Sequence, residues 1–297
     1  MVVFTGGEAT LSKDLLDGIN RATAHGLATR LVTNGWWAKT SRLLENMIAN
    51  LKRVGLKELN LSTGDEHIRF VPVEYVAKCA YAAVEAGFYT AIMIEQRSKR
   101  AVTESTFRAL PIICELFERF TSARFKIVES PWMPLDDRLI ADYELGSVSN
   151  RSNVLSRGGC DSILKTTTVQ ANGNIAACCG IGMRLIPELQ LGRLGDITLA
   201  DADKVGEEDF LKRWIRVEGP EAILAWAQQF DSSIQWENMY AHRCQACIRL
   251  YKDPNVRKVI TEHYEAKVCD VLFAEWLLYE YQPEADDGRE SGEVTPS

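Results

Sequence analysis

Between residues 1 and 130, short β-rich runs alternate with amphipathic helical runs. The pattern restricts this stretch to parallel βα units, because a strand that returns parallel to its predecessor needs a helical crossover. Strands are expected at Val2–Thr5, Leu27–Thr33, Glu58–Ser62, Tyr89–Glu95 and Arg124–Glu129. The first helix is capped near Ser12, places Leu15, Leu16, Ile19 and Ala22 on one face and stops at Gly26. The second runs from Arg42 to Val54 and is closed by Gly55; the third is opened by Pro72 and ended by Gly87. A fourth, about Thr103 to Phe120, should be kinked by Pro111. Five parallel strands with four helices form a curved sheet or part of a barrel, and ligands of such sheets bind at the C-terminal strand ends. The polar groups at those ends are Gly6-Gly7-Glu8, Thr33-Asn34-Gly35, Ser62 with Asp65 and His67, and Glu95.

The alternation stops at Pro131, Pro134 and Asp136-Asp137, which reads as a boundary. The expected organisation is a barrel-like domain over 1–135, a linker over 136–157, a smaller α+β cysteine-rich domain over 158–282 and a disordered acidic tail over 283–297. In the second domain, Lys165–Gln170 and Asn174–Cys178 flank Ala171-Asn172-Gly173, a hairpin signal, and a helical tract follows from about Pro254 to Tyr281. The chain carries 34 Lys and Arg against 41 Asp and Glu, a net charge of −7, which argues against a nucleic-acid partner. No apolar run approaches the roughly 18 residues of a membrane span, and no basic leader precedes the first strand, so no membrane partner and a cytoplasmic location are expected.

In such a compartment the eight cysteines are expected as reduced thiols, available to metals. Cys79 and Cys114 lie in apolar helical patterns and read as small buried hydrophobes, and Cys269 reads as a core residue. Cys160, Cys178, Cys244 and Cys247 form the strongest chemical signal. The glycine-gated hairpin would fold Cys178 back toward Cys160, and Cys244-Gln245-Ala246-Cys247 presents two sulfurs from one turn. Four thiolates suit either a tetrahedral zinc or a 4Fe-4S cluster. Cys179 adjoins Cys178, and only one of the two is expected to reach the centre; Cys178 is favoured. At the first strand end, Gly6 and Gly7 let backbone N–H groups approach a carboxylate while Glu8 accepts from an ammonium, which suits an amino-acid moiety.

Phe4-Thr5-Gly6-Gly7-Glu8-Ala9-Thr10-Leu11, Thr33-Asn34-Gly35 and Leu61-Ser62-Thr63-Gly64-Asp65-Glu66-His67, in that order, resemble the radical S-adenosylmethionine superfamily from its second strand onward. The later C-x12-G-x4-C followed by C-x-x-C is similar to its auxiliary-cluster SPASM or twitch domain. The resemblance implies a partial (β/α) barrel lacking its first strand. It also implies S-adenosylmethionine beside a 4Fe-4S cluster and hydrogen abstraction by a 5′-deoxyadenosyl radical. By position, Gly6, Gly7 and Glu8 would contact the methionine portion and Ser62 the ribose, with Asn34, Asp65 and Glu95 placed by their strand ends. Cys160, Cys178, Cys244 and Cys247 would hold an auxiliary 4Fe-4S cluster. Implied partners are a peptide or small-molecule substrate and an electron donor such as a flavodoxin or ferredoxin; the catalytic residue is unassigned.

The superfamily's C-x-x-x-C-x-x-C loop occurs nowhere in the chain. Met1 is therefore expected to be an internal methionine, with the radical-generating cluster held by an upstream segment. The rivals are a degenerate relative that lost radical chemistry, a non-catalytic iron–sulfur or zinc module, and an ordinary acid–base enzyme working through Glu8, Asp65 or His67.

Overall fold

The computed structural model describes residues 1–120, 124–134 and 142–281. The expected tail over 283–297 and residues 136–141 of the expected linker lie outside the described residues. The chain divides into two units, one comprising Met1–Asn150 with Gln170–Gly173 and Glu237–Gln245, the other Arg151–Val169, Asn174–Trp236 and the remainder.

The first unit contains β1 (Val2–Phe4), α1 (Leu15–Ala24), β2 (Thr29–Thr33), α2 (Ser41–Arg53), β3 (Glu58–Thr63), α3 (Val73–Glu85), β4 (Tyr89–Gln96), α4 (Glu104–Arg108), α5 (Pro111–Arg119) and β5 (Phe125–Pro131). The strands form one parallel sheet in the order β1-β2-β3-β4-β5. Alternation along each strand sorts the side chains. Leu31, Leu59, Leu61, Ile92, Ile94 and Ile127 join Ile19, Leu51, Val76, Phe107 and Leu116 of the helices in one core. Each such burial contributes about 1.5–3 kcal/mol. The opposite parity puts Val32, Asn60, Ser62 and Met93, all half-buried, on the face that the helices leave uncovered.

Pro111 breaks the expected fourth helix outright. Having no N–H to donate into a preceding turn, it opens α5 as that helix's first residue, and Leu110 ahead of it is extended. Cys79 is buried in α3 as expected, and burial, then the charge of Glu8, push its thiol well above the ordinary range. Cys114 and Cys269 are exposed rather than buried, because they fall on the outer sides of their helices.

The second unit contains α6 (Val154–Arg157), β6 (Thr168–Val169), β7 (Asn174–Ala176), β8 (Gln190–Arg193), α7 (Leu199–Glu207), α8 (Phe210–Glu218), α9 (Pro220–Ala227), α10 (Arg243–Lys252, its first residues counted with the first unit), α11 (Pro254–His263) and α12 (Glu265–Tyr279). The hairpin forms with Gly173 at φ 85°, in shorter strands than expected, and gains a third strand, β8. Ile175, Ala177, Leu191 and Ala202 form its small core. The tract from Pro254 is two helices, α11 and α12. On α12, Glu275 is only 1% exposed and accepts from Arg213 Nε at 2.6 Å and Arg216 Nε at 3.0 Å, both on α8. Breaking such a buried pair strands charge in a medium that solvates it poorly. Glu275→Ala is expected to cost about 3–5 kcal/mol, read as a lowered urea midpoint.

Candidate functional site at the C-terminal strand ends

The strand ends of the first unit are stitched together by carboxylates that accept from the backbone of neighbouring loops. After β1, Glu8 Oε2 accepts from Asn34 N at 2.9 Å, while Oε1 accepts from Thr33 Oγ1 at 2.7 Å and from the hydroxyl and N–H of Thr10. Thr33 Oγ1 in turn accepts from Gly35 N and from Trp37 Nε1, each at 3.2 Å. The network ties the ends of β1 and β2 and leaves one lone pair of Glu8 Oε2 for a further donor. Beside it, a Cβ built on Gly6 or Gly7 meets nothing within 4 Å, so the backbone borders open space. An amino-acid ammonium at Oε2, with its carboxylate along the Gly6-Gly7 backbone, fits these residues.

Asn34 takes part through its N–H, since its side chain accepts from Trp36 N at 3.0 Å. Ser62 is half-buried near the end of β3 and pairs with Met93. Asp65 is consumed structurally: its oxygens accept from Ala101 N and Val102 N at 2.8–3.0 Å, pinning the loop after β4. Glu95 is buried, with Oε1 accepting from Glu66 N at 2.6 Å and His67 N at 3.0 Å, and facing His67 Nδ1 at 3.2 Å. Glu129 closes the series by accepting from Glu104 N at 2.8 Å and from Arg100. The pairing of His67 with Glu95 and the part played by Thr33 were not read from the sequence. The signal for the first was strand parity, which puts Glu95 on the helix-free face with Met93. Of the tryptophans near strand ends, Trp37 is core, whereas Arg97 lies over the Trp132 ring, 4.8 Å from its centroid.

The cysteines of the constellation come from two stretches of the chain. The segment after Cys160 lies against the end of the hairpin, with Leu164 N donating to Ala177 O at 2.8 Å. There Cys178 is buried, and Cys179 is exposed with its N–H on Ser162 Oγ at 2.8 Å. Both lie past the end of β7, so strand alternation does not govern them. Cys244 and Cys247 sit three residues apart on α10, a spacing that places both on one side of the helix. Among the described residues no disulfide joins the cysteines, and no three His, Cys, Asp or Glu side chains gather closely enough to hold a metal ion. The chemistry of this constellation is therefore carried by its sequence spacing alone.

Gly64 has φ 139°, and a Cβ there would lie 1.9 Å from Glu95 Cγ, so the loop wraps Glu95 only because residue 64 has no side chain. Gly64→Ala is expected to cost about 2–5 kcal/mol from strain and overpacking together, measured by urea unfolding. No protein-family model matches the chain, and no curated protein matches it.

Proposed function

We propose that the first unit binds S-adenosylmethionine as part of a cytoplasmic radical S-adenosylmethionine enzyme, its sheet being a partial (β/α) barrel, and that the second unit is an auxiliary iron–sulfur module. The observation that carries the reading is the Glu8 carboxylate, fixed across the ends of β1 and β2 beside the open Gly6-Gly7 backbone. In this reading Glu8 holds the ligand ammonium, the two glycines admit its carboxylate and Ser62 stands on the helix-free face for the ribose. Asp65 works at one remove, holding the loop that borders the site. A reduced 4Fe-4S cluster beside the bound S-adenosylmethionine would supply the one electron that cleaves its sulfonium C–S bond into methionine and a 5′-deoxyadenosyl radical able to take hydrogen from a peptide or small-molecule substrate. The chain has no C-x-x-x-C-x-x-C run, so none of its own loops supplies that motif; the electron is assigned to a flavodoxin or ferredoxin.

Calorimetric titration with S-adenosylmethionine is expected to show binding to the wild type. Glu8→Gln should weaken it by about 10–100-fold, the worth of a hydrogen bond to a charged group. A thermal melt of the variant separates loss of ligand from loss of fold. No heat with the wild type would remove the reading. For the second unit, anaerobic reconstitution with ferrous iron and sulfide is expected to load about four irons per chain, lost when Cys244 and Cys247 are both changed to Ser. Zinc bound in place of iron would leave a thiolate module instead.

A further inference from the structure

The reading above gives no task to the His67–Glu95 pair of the first unit. We propose that His67 is a proton-transfer residue acting through Nε2, positioned by Glu95, on a substrate that carries an ionisable hydroxyl or ammonium proton and docks on the helix-free face of the sheet. The assignment goes beyond S-adenosylmethionine binding and stands on the geometry of the pair.

Glu95 has the parity of Met93, opposite to the core residues Ile92 and Ile94, and Met93 pairs with Ser62. Glu95 thus belongs to the face on which the ligand is placed. It is 8% exposed, and its Oε1 receives two backbone N–H groups and faces the imidazole. An ionised carboxylate only accepts, so His67 Nδ1 carries the hydrogen and donates it. The lone pair of the neutral ring then resides on Nε2, and the side chain, 38% exposed, is open to solvent.

The charges around the pair are already engaged. Glu66 pairs with Arg69 at 2.8 Å and Arg97 at 2.6 Å, and Asp65 is bound to the Ala101 and Val102 N–H groups. Among the described residues, His67 is the sole basic side chain paired with Glu95, and Glu95 Oε2 is buried without a hydrogen-bond partner. A carboxylate serving only to tie the loop would be satisfied by the two N–H groups. This one has a second buried oxygen beyond the two N–H groups and lies opposite a ring that becomes positive when it takes a proton.

The step balances without a redox partner. The substrate O–H or N–H bond breaks, its electron pair stays with the substrate, and the proton forms an N–H bond at Nε2. Nδ1–H remains on Glu95 Oε1, and the proton later leaves from Nε2 to water or returns to product.

The protein has four histidines, so each can be followed individually in the full-length chain. In long-range proton–nitrogen spectra of 15N-labelled protein at pH 8, neutral His67 is expected as the Nδ1–H tautomer, the reverse of the form that free imidazole side chains prefer. Diethyl pyrocarbonate, read by peptide mass spectrometry, should acylate His67 at least about fivefold faster than His25, which is more exposed. In Glu95→Gln the tautomer should shift toward Nε2–H and the His67 rate should fall to or below that of His25. A merely structural histidine would label in proportion to its exposure, behind His25. An Nε2–H tautomer in the wild type, or labelling no faster than His25, overturns the proposal. The two wild-type readings decide it even where Glu95→Gln fails to fold.

Discussion

The first unit depends on carboxylates that take backbone N–H groups from the loop of a neighbouring strand. Glu8 after β1 holds the turn after β2, Asp65 after β3 holds the loop after β4, Glu95 at the end of β4 holds the loop after β3, and Glu129 on β5 holds the start of α4. A parallel sheet leaves the loops at its C-terminal edge to find their own hydrogen bonds, since the ladder ends where the loops begin. Charged acceptors bind such donors more strongly than neutral ones, so the rim becomes a framework on which ligand groups keep fixed positions.

That framework meets a second constraint, the parity of the strands. One set of side chains packs the helices and the other is left facing a surface that the helices leave uncovered. Ser62, Met93 and Glu95 belong to the second set, and Glu8 reaches the same edge from the β1 end. The proposed ligand anchoring at one end of the edge and the proposed proton transfer at the other are compatible uses of a single face, and each rests on its own hydrogen-bonded carboxylate.

Most of this unit was legible in the sequence, because the apolar period changes from 2 to 3.6 at every junction and Gly26, Gly55 and Gly87 mark the helix ends. Pro111 predicts a kink, whereas the structure shows a break: a kinked helix needs neighbours that rescue the freed carbonyls, and here Leu110 turns extended instead. At the site, residue types and order pointed to Glu8 and Glu95, whereas what they bind did not show. Thr33 looks like any strand residue until its hydroxyl is seen between Glu8 and Trp37, and Asp65 looks like a ligand contact until Ala101 and Val102 are found on it. The bonds of Thr33 to Glu8 and of Asp65 to Ala101 and Val102 join residues far apart in the chain, and a sequence carries no periodic trace of them. In the second unit β8 leaves no sequence signal, because four residues containing Gly192 show no alternation.

The strand order of the sheet bears on how the protein is made. Each strand of the first sheet pairs with the one synthesised just before it, so every new βα unit emerging from the ribosome finds its docking edge already in place. The second unit is assembled from three separated stretches and waits for the last of them, so its completion comes late in translation, after the parallel sheet has had time to form.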